Sequence, residues 1–265
     1  MLEPLPVLRP PDRPPSVYAR NLPAATAWTW LAAGWDDFRD QPWTSIAFGL
    51  IVVLVSYAVL AGLYATHLLY LALPAISGFL IVGPFFALGL YEKSRRRAAG
   101  QKVTLRDMLL VRPISGAQLT YAGLLLGLWV LFWLRAADLL YALFFGLTPF
   151  PGARDALFNV FSTPQGWGLM LVGSAVGGLF AAFAFAISVF SVPMLMAEKT
   201  DALTALGLSF TMTTHNLPVA LAWAAIVVAG LAISAVTALL GLVVIFPVLG
   251  HGTWHAYRAI GKDVE

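Results

Sequence analysis

The feature that most constrains this chain is a long uncharged stretch that ends in a cluster of basic residues. Residues 43–90 contain no Asp, Glu, Lys or Arg, and Lys93, Arg95, Arg96 and Arg97 follow closely. Because one bilayer crossing takes about 20 apolar residues, the stretch is long enough to cross a membrane twice. Each Arg or Lys at the bilayer centre costs about 3 kcal/mol on insertion scales, so the cluster stays on one side. The sequence therefore predicts a membrane hairpin that ends at the cluster.

The composition of the whole chain agrees with a membrane protein. Of its 265 residues, 60% are hydrophobic and 11% are charged, whereas a soluble domain carries about 25% charged residues. The chain has no cysteine, which excludes disulfides and thiolate metal sites. Residues 1–22 are rich in proline and lack the apolar core of a cleavable signal peptide. We therefore expect the first crossing to act as an uncleaved anchor.

The alternation of apolar and polar stretches predicts an all-α, polytopic membrane protein with six transmembrane helices. These helices form three hairpins, and a short helix at the membrane interface precedes each hairpin. We expect proline to kink the three return helices, because proline removes a backbone hydrogen bond. The kink positions are Pro84, Pro193 and Pro247. The first, third, fourth and sixth predicted crossings are residues 43–66, 116–134, 166–192 and 237–257. The second crossing ends at Tyr91, and the fifth begins at Pro218.

The first interfacial helix is predicted over residues 24–40. Trp28 and Trp35 recur there at helical spacing with other apolar residues, while Asp36 and Asp37 turn elsewhere. An amphipathic helix with Trp on its apolar face suits the bilayer interface. The other two are a helix over 105–111 with a capping box of Thr104 and Asp107, and a helix over 202–214 capped by Thr200 or Asp201.

The chain divides into a disordered, proline-rich cytoplasmic arm, residues 1–23, and a six-helix transmembrane domain, residues 24–265. Within that domain, Ser77–Pro84 aligns with Leu240–Pro247 without gaps, and the match continues to Arg95 and Arg258. We interpret the domain as a parallel internal repeat, because every copy enters the membrane from the same side; this differs from the inverted repeats of many transporters. The repeat units are about 24–97, 104–199 and 201–260.

The basic residues predict the orientation of the protein. Of the 16 basic residues, all but Arg135 and Arg154 fall on one side of the predicted hairpins. The positive-inside rule therefore places both termini in the cytoplasm. The main basic cytoplasmic loop either binds anionic lipid headgroups or an acidic partner, or only fixes the topology. Its residues are Lys93, Arg95, Arg96, Arg97, Lys102, Arg106 and Arg112.

Arg135 and Asp138 look at first like charges inside the membrane, which would indicate a functional site. Arg135, however, lies roughly 28 Å beyond Gly116 at the rise of an α-helix, which is already the far interface. We interpret Arg135 and Asp138 as an interfacial pair at positions i and i+3, with a functional role as the alternative. Residues 135–165 then form the one long outer segment.

Residues that carry chemistry are scarce, and we expect no enzyme activity and no nucleic-acid partner. The sequence has no phosphate-binding loop, nucleophile elbow or zinc-protease motif. His251 and His255 lie four residues apart on one helix face, and His215 is predicted on the same side. Imidazole suits zinc, copper or haem iron. The alternatives are packing with interfacial hydrogen bonds, or a proton-linked or partner role; His67 is on the opposite side.

Four motifs resemble a family of bacterial integral membrane proteins, the domain of unknown function 2189. They are Gly34-Trp35-x-Asp37 and the stretches 77–84, 87–92 and 249–258. The resemblance implies a bacterial inner-membrane protein of unestablished activity. Some relatives are labelled as candidate subunits of cytochrome c oxidase, but this chain has too few crossings and histidines for the catalytic subunit. An accessory or assembly role near a respiratory complex follows only by association.

These observations leave three functions open. The first is a non-catalytic scaffold, accessory subunit or assembly factor of a membrane complex. Its partners would be other subunits of that complex. The second is a carrier or channel for a small solute, which the glycines and prolines of the return helices favour. The third is a haem or metal protein that uses His251 and His255. We expect no cofactor under the first two.

Overall fold

The computed structural model describes residues 17–66, 72–146 and 153–261, and within these ranges the chain is helical without any strand. This confirms the all-α class. Most of the predicted proline-rich arm, residues 1–16, and the turn with His67 lie outside the described residues. The helices are α1 Thr26–Arg39, α2 Pro42–Ala65, α3 Ala72–Phe86, α4 Leu88–Ala98, α5 Leu105–Leu109, α6 Gly116–Phe145, α7 Ala153–Ser162, α8 Pro164–Ser188, α9 Ser191–Ala197, α10 Ala202–His215, α11 Leu217–Val236 and α12 Leu242–Gly261.

Within the described ranges, four helical stretches are long and apolar enough to cross a membrane. They are Pro42–Ala65, Gly116–Phe145, Pro164–Ala197 and Leu217–Val236. Three of them begin with proline in the first helical positions, where its missing N–H would have no partner in any case. These stretches confirm four of the six predicted crossings as apolar helices of spanning length.

The elements predicted as the second and sixth crossings differ from the expectation. The second is divided into α3 and α4 at Ala87, three residues after Pro84, whose ring removes one backbone hydrogen bond. The sixth begins at Leu242 rather than at 237, because Ala238 and Leu239 adopt left-handed backbone conformations that end α11.

Two further boundaries needed correction. Helix α6 continues through Arg135 to Phe145, so the predicted outer segment begins about ten residues too early; the left-handed Gly146 (φ 75°) ends this helix. Pro193 lies in the first turn of α9, after an interruption of the helix at residues 189–190, whereas Pro84 and Pro247 lie inside their helices.

The long helices α2, α6 and α11 are each followed by a return to the end from which they started. Arg97, at the end of α4, donates from Nε to Oδ2 of Asp40, just before α2, over 2.8 Å. The N–H of Ser115, just before α6, donates to the carbonyl of Leu195 in α9 over 3.1 Å. The first and second helix pairs are therefore each closed at their starting end.

The third pair is closed through the segment before α1. The backbone N–H of Arg20 donates to Oδ1 of Asn216, just before α11, over 3.0 Å. The Nε of the same arginine donates to the carbonyl of Ile260 in α12 over 3.2 Å. We call the end of the bundle that holds these closures the basic end, because Arg95, Arg96 and Arg97 also lie there.

Helix α12 is the centre of the basic end and packs against α1, α2, α4 and α11. Glycines allow the close approach. A Cβ on Gly34 of α1 would lie 2.4 Å from the carbonyl oxygen of Val248, and one on Gly49 of α2 would lie 2.3 Å from that of Val243. Backbone therefore meets backbone at two helix crossings, which fixes α1 and α2 on α12.

The three predicted repeat units stay a prediction, and only the order of the helices can be compared with them. A short helix, a long apolar helix and a return occur as α1–α2–α3/α4, as α5–α6–α8/α9 and as α10–α11–α12. The helix α7 is an addition in the middle unit. The parallel symmetry of the units itself stays a prediction.

Candidate functional site

Polar side chains from four helices meet near the basic end and form two neighbouring hydrogen-bonded groups, which together we call the polar cluster. Helix α1 contributes an aspartate, α2 a serine, α4 a lysine, a serine and an arginine, and α12 two histidines. Most of these side chains are buried, and an ionisable side chain is almost never buried without a partner. The members are Asp37, Ser45, Lys93, Ser94, Arg97, His251 and His255.

Lys93 is the cation inside the polar cluster. Its side chain is only 1% exposed, and its Nζ donates to the carbonyl of Gln41 over 3.1 Å and to Oγ of Ser45 over 2.8 Å. Gln41 has a left-handed backbone (φ 54°) between α1 and α2. Lys93, which was predicted as part of the basic cytoplasmic loop, therefore belongs to helix α4 and faces α2.

His251 continues the chain of hydrogen bonds. Its Nδ1 lies 2.8 Å from Oγ of Ser94 and 3.1 Å from the carbonyl of Leu90, and its Nε2 lies 3.1 Å from Oγ of Ser45. A carbonyl can only accept, so we assign the proton of the neutral ring to Nδ1. Nε2 then accepts the hydroxyl proton of Ser45.

Asp37 is the anion at the other end of the polar cluster. Its carboxylate accepts hydrogen bonds from His255 Nε2 over 2.8 Å and from the Arg97 guanidinium. Burial alone would raise the pKa of Asp37, but the hydrogen bond from His255 and the hydroxyl of Ser94 lower it to about 2. Asp37 was predicted to face away from the apolar side of α1; instead it is buried against α12.

The hydrogen bonds of the polar cluster run in one direction. The ammonium of Lys93 donates to Ser45, and the hydroxyl of Ser45 donates to His251. The imidazole N–H of His251 then lies within hydrogen-bonding distance of both Oγ of Ser94 and the carbonyl of Leu90. The buried cation of α4 is thus connected through Ser45 of α2 to His251 of α12, and each of these two neutral groups both donates and accepts.

The other residues of the predicted basic loop fall into two groups. Arg95 and Arg96 bind the buried carboxylate of Glu92 over 2.8 and 2.5 Å. Burial alone would raise the pKa of Glu92, but the hydrogen bonds from the two arginines lower it. Arg96 also reaches Asp107 over 3.1 Å. The second group is exposed and forms no ion pair with any described residue: Lys102, Arg106 and Arg112.

The three histidines proposed as metal ligands do not form one ligand set. His215 is exposed at the end of α10, and its Nδ1 lies 2.8 Å from the carbonyl of Thr211 in the same helix. Both ring nitrogens of His251 have protein partners, and His255 binds Asp37. Within residues 17–66, 72–146 and 153–261, no group of three or more His, Asp or Glu could hold a metal ion. The donor arrangement thus fits hydrogen bonding rather than coordination.

Arg135 and Asp138 form the i,i+3 pair that the sequence predicted. Nη1 of Arg135 lies 3.4 Å from Oδ2 of Asp138, and both side chains are largely exposed on α6. Their position at a membrane interface stays a prediction.

A family model described as a predicted integral membrane protein (DUF2189) matches residues 72–197. The match confirms the resemblance that the sequence motifs indicated. The chain is an integral membrane protein. No curated protein and no solved structure matches it. The matched residues of this integral membrane protein run from α3 to α9 and include the α4 part of the polar cluster, whereas Asp37, Ser45 and the two histidines lie outside them.

Sequence reasoning missed Ser45 and the buried position of Lys93. A signal was present in the spacing, because Gly89, Lys93 and Arg97 recur every four residues and so share one face of α4. A Cβ added to Gly89 would lie 2.3 Å from the carbonyl oxygen of Met108. This face of α4 is therefore the packed one. A lysine on a packed face needs partners within the fold.

The buried lysine predicts how stability changes at alkaline pH. Burial lowers the pKa of Lys93 from 10.5 to about 8, although the carboxylates of Asp40 and Asp37 oppose the shift. Between these values the unfolded chain binds more protons than the folded one, so the free energy of unfolding rises with pH. We expect a gain of up to about 3 kcal/mol, which a Lys93→Met variant should lose.

The measurement is thermal unfolding of the protein in detergent, followed by circular dichroism at several pH values from 7.5 to 10.5. The control is Lys199→Met, because Lys199 is an exposed lysine at the basic end. The same pH dependence in wild type and in Lys93→Met would contradict the assignment.

Proposed function

We propose that this integral membrane protein is a non-catalytic scaffold or accessory protein of a membrane complex in the bacterial inner membrane. The observation that carries the proposal is the polar cluster. Most of the groups that could perform chemistry are buried, they are bound to other members of the cluster, and they connect α1, α2, α4 and α12. A polar network with satisfied partners rigidifies a structure and specifies one arrangement.

The hairpin closures support six crossings. Helix α2 has 24 residues and is therefore roughly 36 Å long, which exceeds the hydrocarbon thickness of about 30 Å. Since Arg97 at the end of α4 bonds Asp40 at the start of α2, α3 and α4 together return across that distance. The bond from Arg20 to Ile260 supports the same for α12.

The distribution of charge supports an orientation with both termini in the cytoplasm. The basic end holds the paired arginines of α4 and the exposed Lys102, Arg106 and Arg112. Basic residues close to membrane-spanning segments remain in the cytoplasm by the positive-inside rule. The lipid bilayer and other membrane subunits are the partners that such a protein contacts.

The test of the scaffold function is affinity purification from the native membrane in a mild detergent, with mass spectrometry of the proteins that co-purify. We expect the same larger membrane subunits at constant stoichiometry in repeated preparations. An inner-membrane protein with the same tag and a similar expression level is the control. Recovery of the chain alone after crosslinking in intact cells would contradict the proposal.

A carrier remains the second candidate, because one observation favours it. An apolar cavity of about 900 Å³ lies between α2, α3, α6 and α11. Such a cavity suits an apolar or amphipathic solute rather than an ion, because none of its described lining residues carries a charge that could replace hydration. Uptake of such a solute into protein-containing vesicles, and not into empty ones, would favour the carrier over the scaffold.

A further inference from the structure

The apolar cavity between α2, α3, α6 and α11 is large, and one face of α2 forms one of its walls. Val55, Val59 and Leu63 from this face lie opposite Phe79 and Val82 of α3, and the cavity is open to the outside of the protein. Its volume of about 900 Å³ lies at the upper end of the roughly 300–1,000 Å³ that bound ligands occupy. The space between α2 and α3 therefore accommodates a ligand of considerable size.

Among the described residues, the wall of the cavity offers no free polar side chain. Ser56 and Ser234 are the polar residues that line it, and both donate their hydroxyl protons to their own helices. Ser56 bonds the carbonyl of Val52 over 2.8 Å, and Ser234 bonds that of Gly230 over 2.9 Å. A ligand with hydrogen-bonding groups inside the cavity would lose its hydration without compensation. The described wall of this space therefore suits a hydrocarbon chain.

Cations lie beside the cavity at the basic end. Met108, Val111 and Pro113 line the cavity. Arg112 lies between Val111 and Pro113 in the sequence. Arg106 lies in the same short helix as Met108. Arg106 and Arg112 are exposed and form no ion pair within the described ranges, unlike the arginines of α4. An anion at this position would meet unpaired guanidinium groups, which bind phosphate well.

We propose that the cavity binds one anionic phospholipid, whose acyl chains lie between α2 and α3 and whose phosphate contacts Arg106 and Arg112. The apolar wall selects the chains, and the unpaired arginines select the charge of the headgroup. This binding goes beyond the scaffold function and does not depend on it, because it requires no other protein.

The experiment is native mass spectrometry of the purified full chain, titrated with phosphatidylglycerol or with phosphatidylcholine of the same acyl chains. We expect phosphatidylglycerol to bind roughly tenfold more tightly, since each basic residue near an anionic lipid contributes measurably. A double variant, Arg106→Gln with Arg112→Gln, should bind both lipids equally. Its control is Arg39→Gln with Lys199→Gln, two exposed residues at the same end that should leave the preference unchanged.

A second pair of variants tests the cavity. Val59→Trp fills it and should abolish binding of both lipids, whereas Leu54→Trp should not, because Leu54 is exposed on α2 but does not line the cavity. Helical circular dichroism confirms that each variant is folded. Unchanged binding in folded Val59→Trp, or displacement of phosphatidylglycerol by inorganic phosphate, would show a contact with the headgroup alone and overturn the proposal. Equal binding of the two lipids by wild type would also overturn it.

Discussion

Replacing Gly34 by leucine will lower the free energy of unfolding by about 3 kcal/mol or more, because the added side chain meets the backbone of α12. A Cβ at this position would lie 2.4 Å from the carbonyl oxygen of Val248 and 2.7 Å from the nitrogen of Gly252. Both are main-chain atoms, so no side-chain rotation relieves the overlap. Helix α1 must move away from α12, which also separates Asp37 from His255.

Titration of the detergent-solubilised protein with sodium dodecyl sulfate, followed by circular dichroism, measures this loss. The matched control is Gly207→Leu on α10, since nothing lies within 4 Å of a Cβ there. We expect the control to be unchanged or slightly more stable, because glycine in a helix costs about 0.5–1 kcal/mol relative to alanine. Equal unfolding curves for the two variants would contradict the close approach of α1 and α12.

The second large effect is expected from Asp37→Asn. The change leaves the cations of the polar cluster without a buried counter-charge, and breaking a buried ion pair costs about 3–5 kcal/mol. The side chain of Arg97 is 38% exposed and can turn towards water. We therefore expect a smaller loss, of about 2 kcal/mol, in the free energy of unfolding at neutral pH.

The pH dependence of this effect identifies its cause. The folded-state pKa of Asp37 is lowered from 3.8 to about 2, so its contribution is complete above 3.8 and is lost as pH falls through 2. The difference between wild type and Asp37→Asn should shrink accordingly between pH 4 and 2. The control is Asp36→Asn, because Asp36 is an exposed neighbour. This variant should leave the free energy of unfolding unchanged at every pH. A difference that persists at pH 2 would indicate a packing defect instead.

Elements set by local sequence were predicted well. Proline followed by an apolar run located the start of α2 and of α11 within one residue. The capping box of Thr104 and Asp107 is present at the start of α5, which ends at Leu109 rather than at 111. Asp201 caps α10 by accepting from the N–H of Thr204 over 2.9 Å. In each case the atoms that decide the structure lie within a few residues of one another.

The polar cluster could not be predicted, because its members meet only in three dimensions. Ser45 and His251 are separated by 206 positions, and neither has a local signal of the contact. The density of positive charge predicts which side of the membrane a segment occupies, but not whether a given cation is buried. Lys93 and Arg106 therefore looked equivalent in the sequence, although one is bound within the fold and the other is exposed.

The most direct test of the three closed hairpins is cysteine labelling, which the absence of cysteine from the natural chain makes free of background. Thr66→Cys places a thiol at the far end of α2, and Arg106→Cys places one at the basic end; both positions are exposed. In right-side-out vesicles, a membrane-impermeant maleimide should label position 66 at once and position 106 only after the membrane is permeabilised. Labelling of both positions from the same side of an intact membrane would contradict the crossing of α2 and the arrangement built on it.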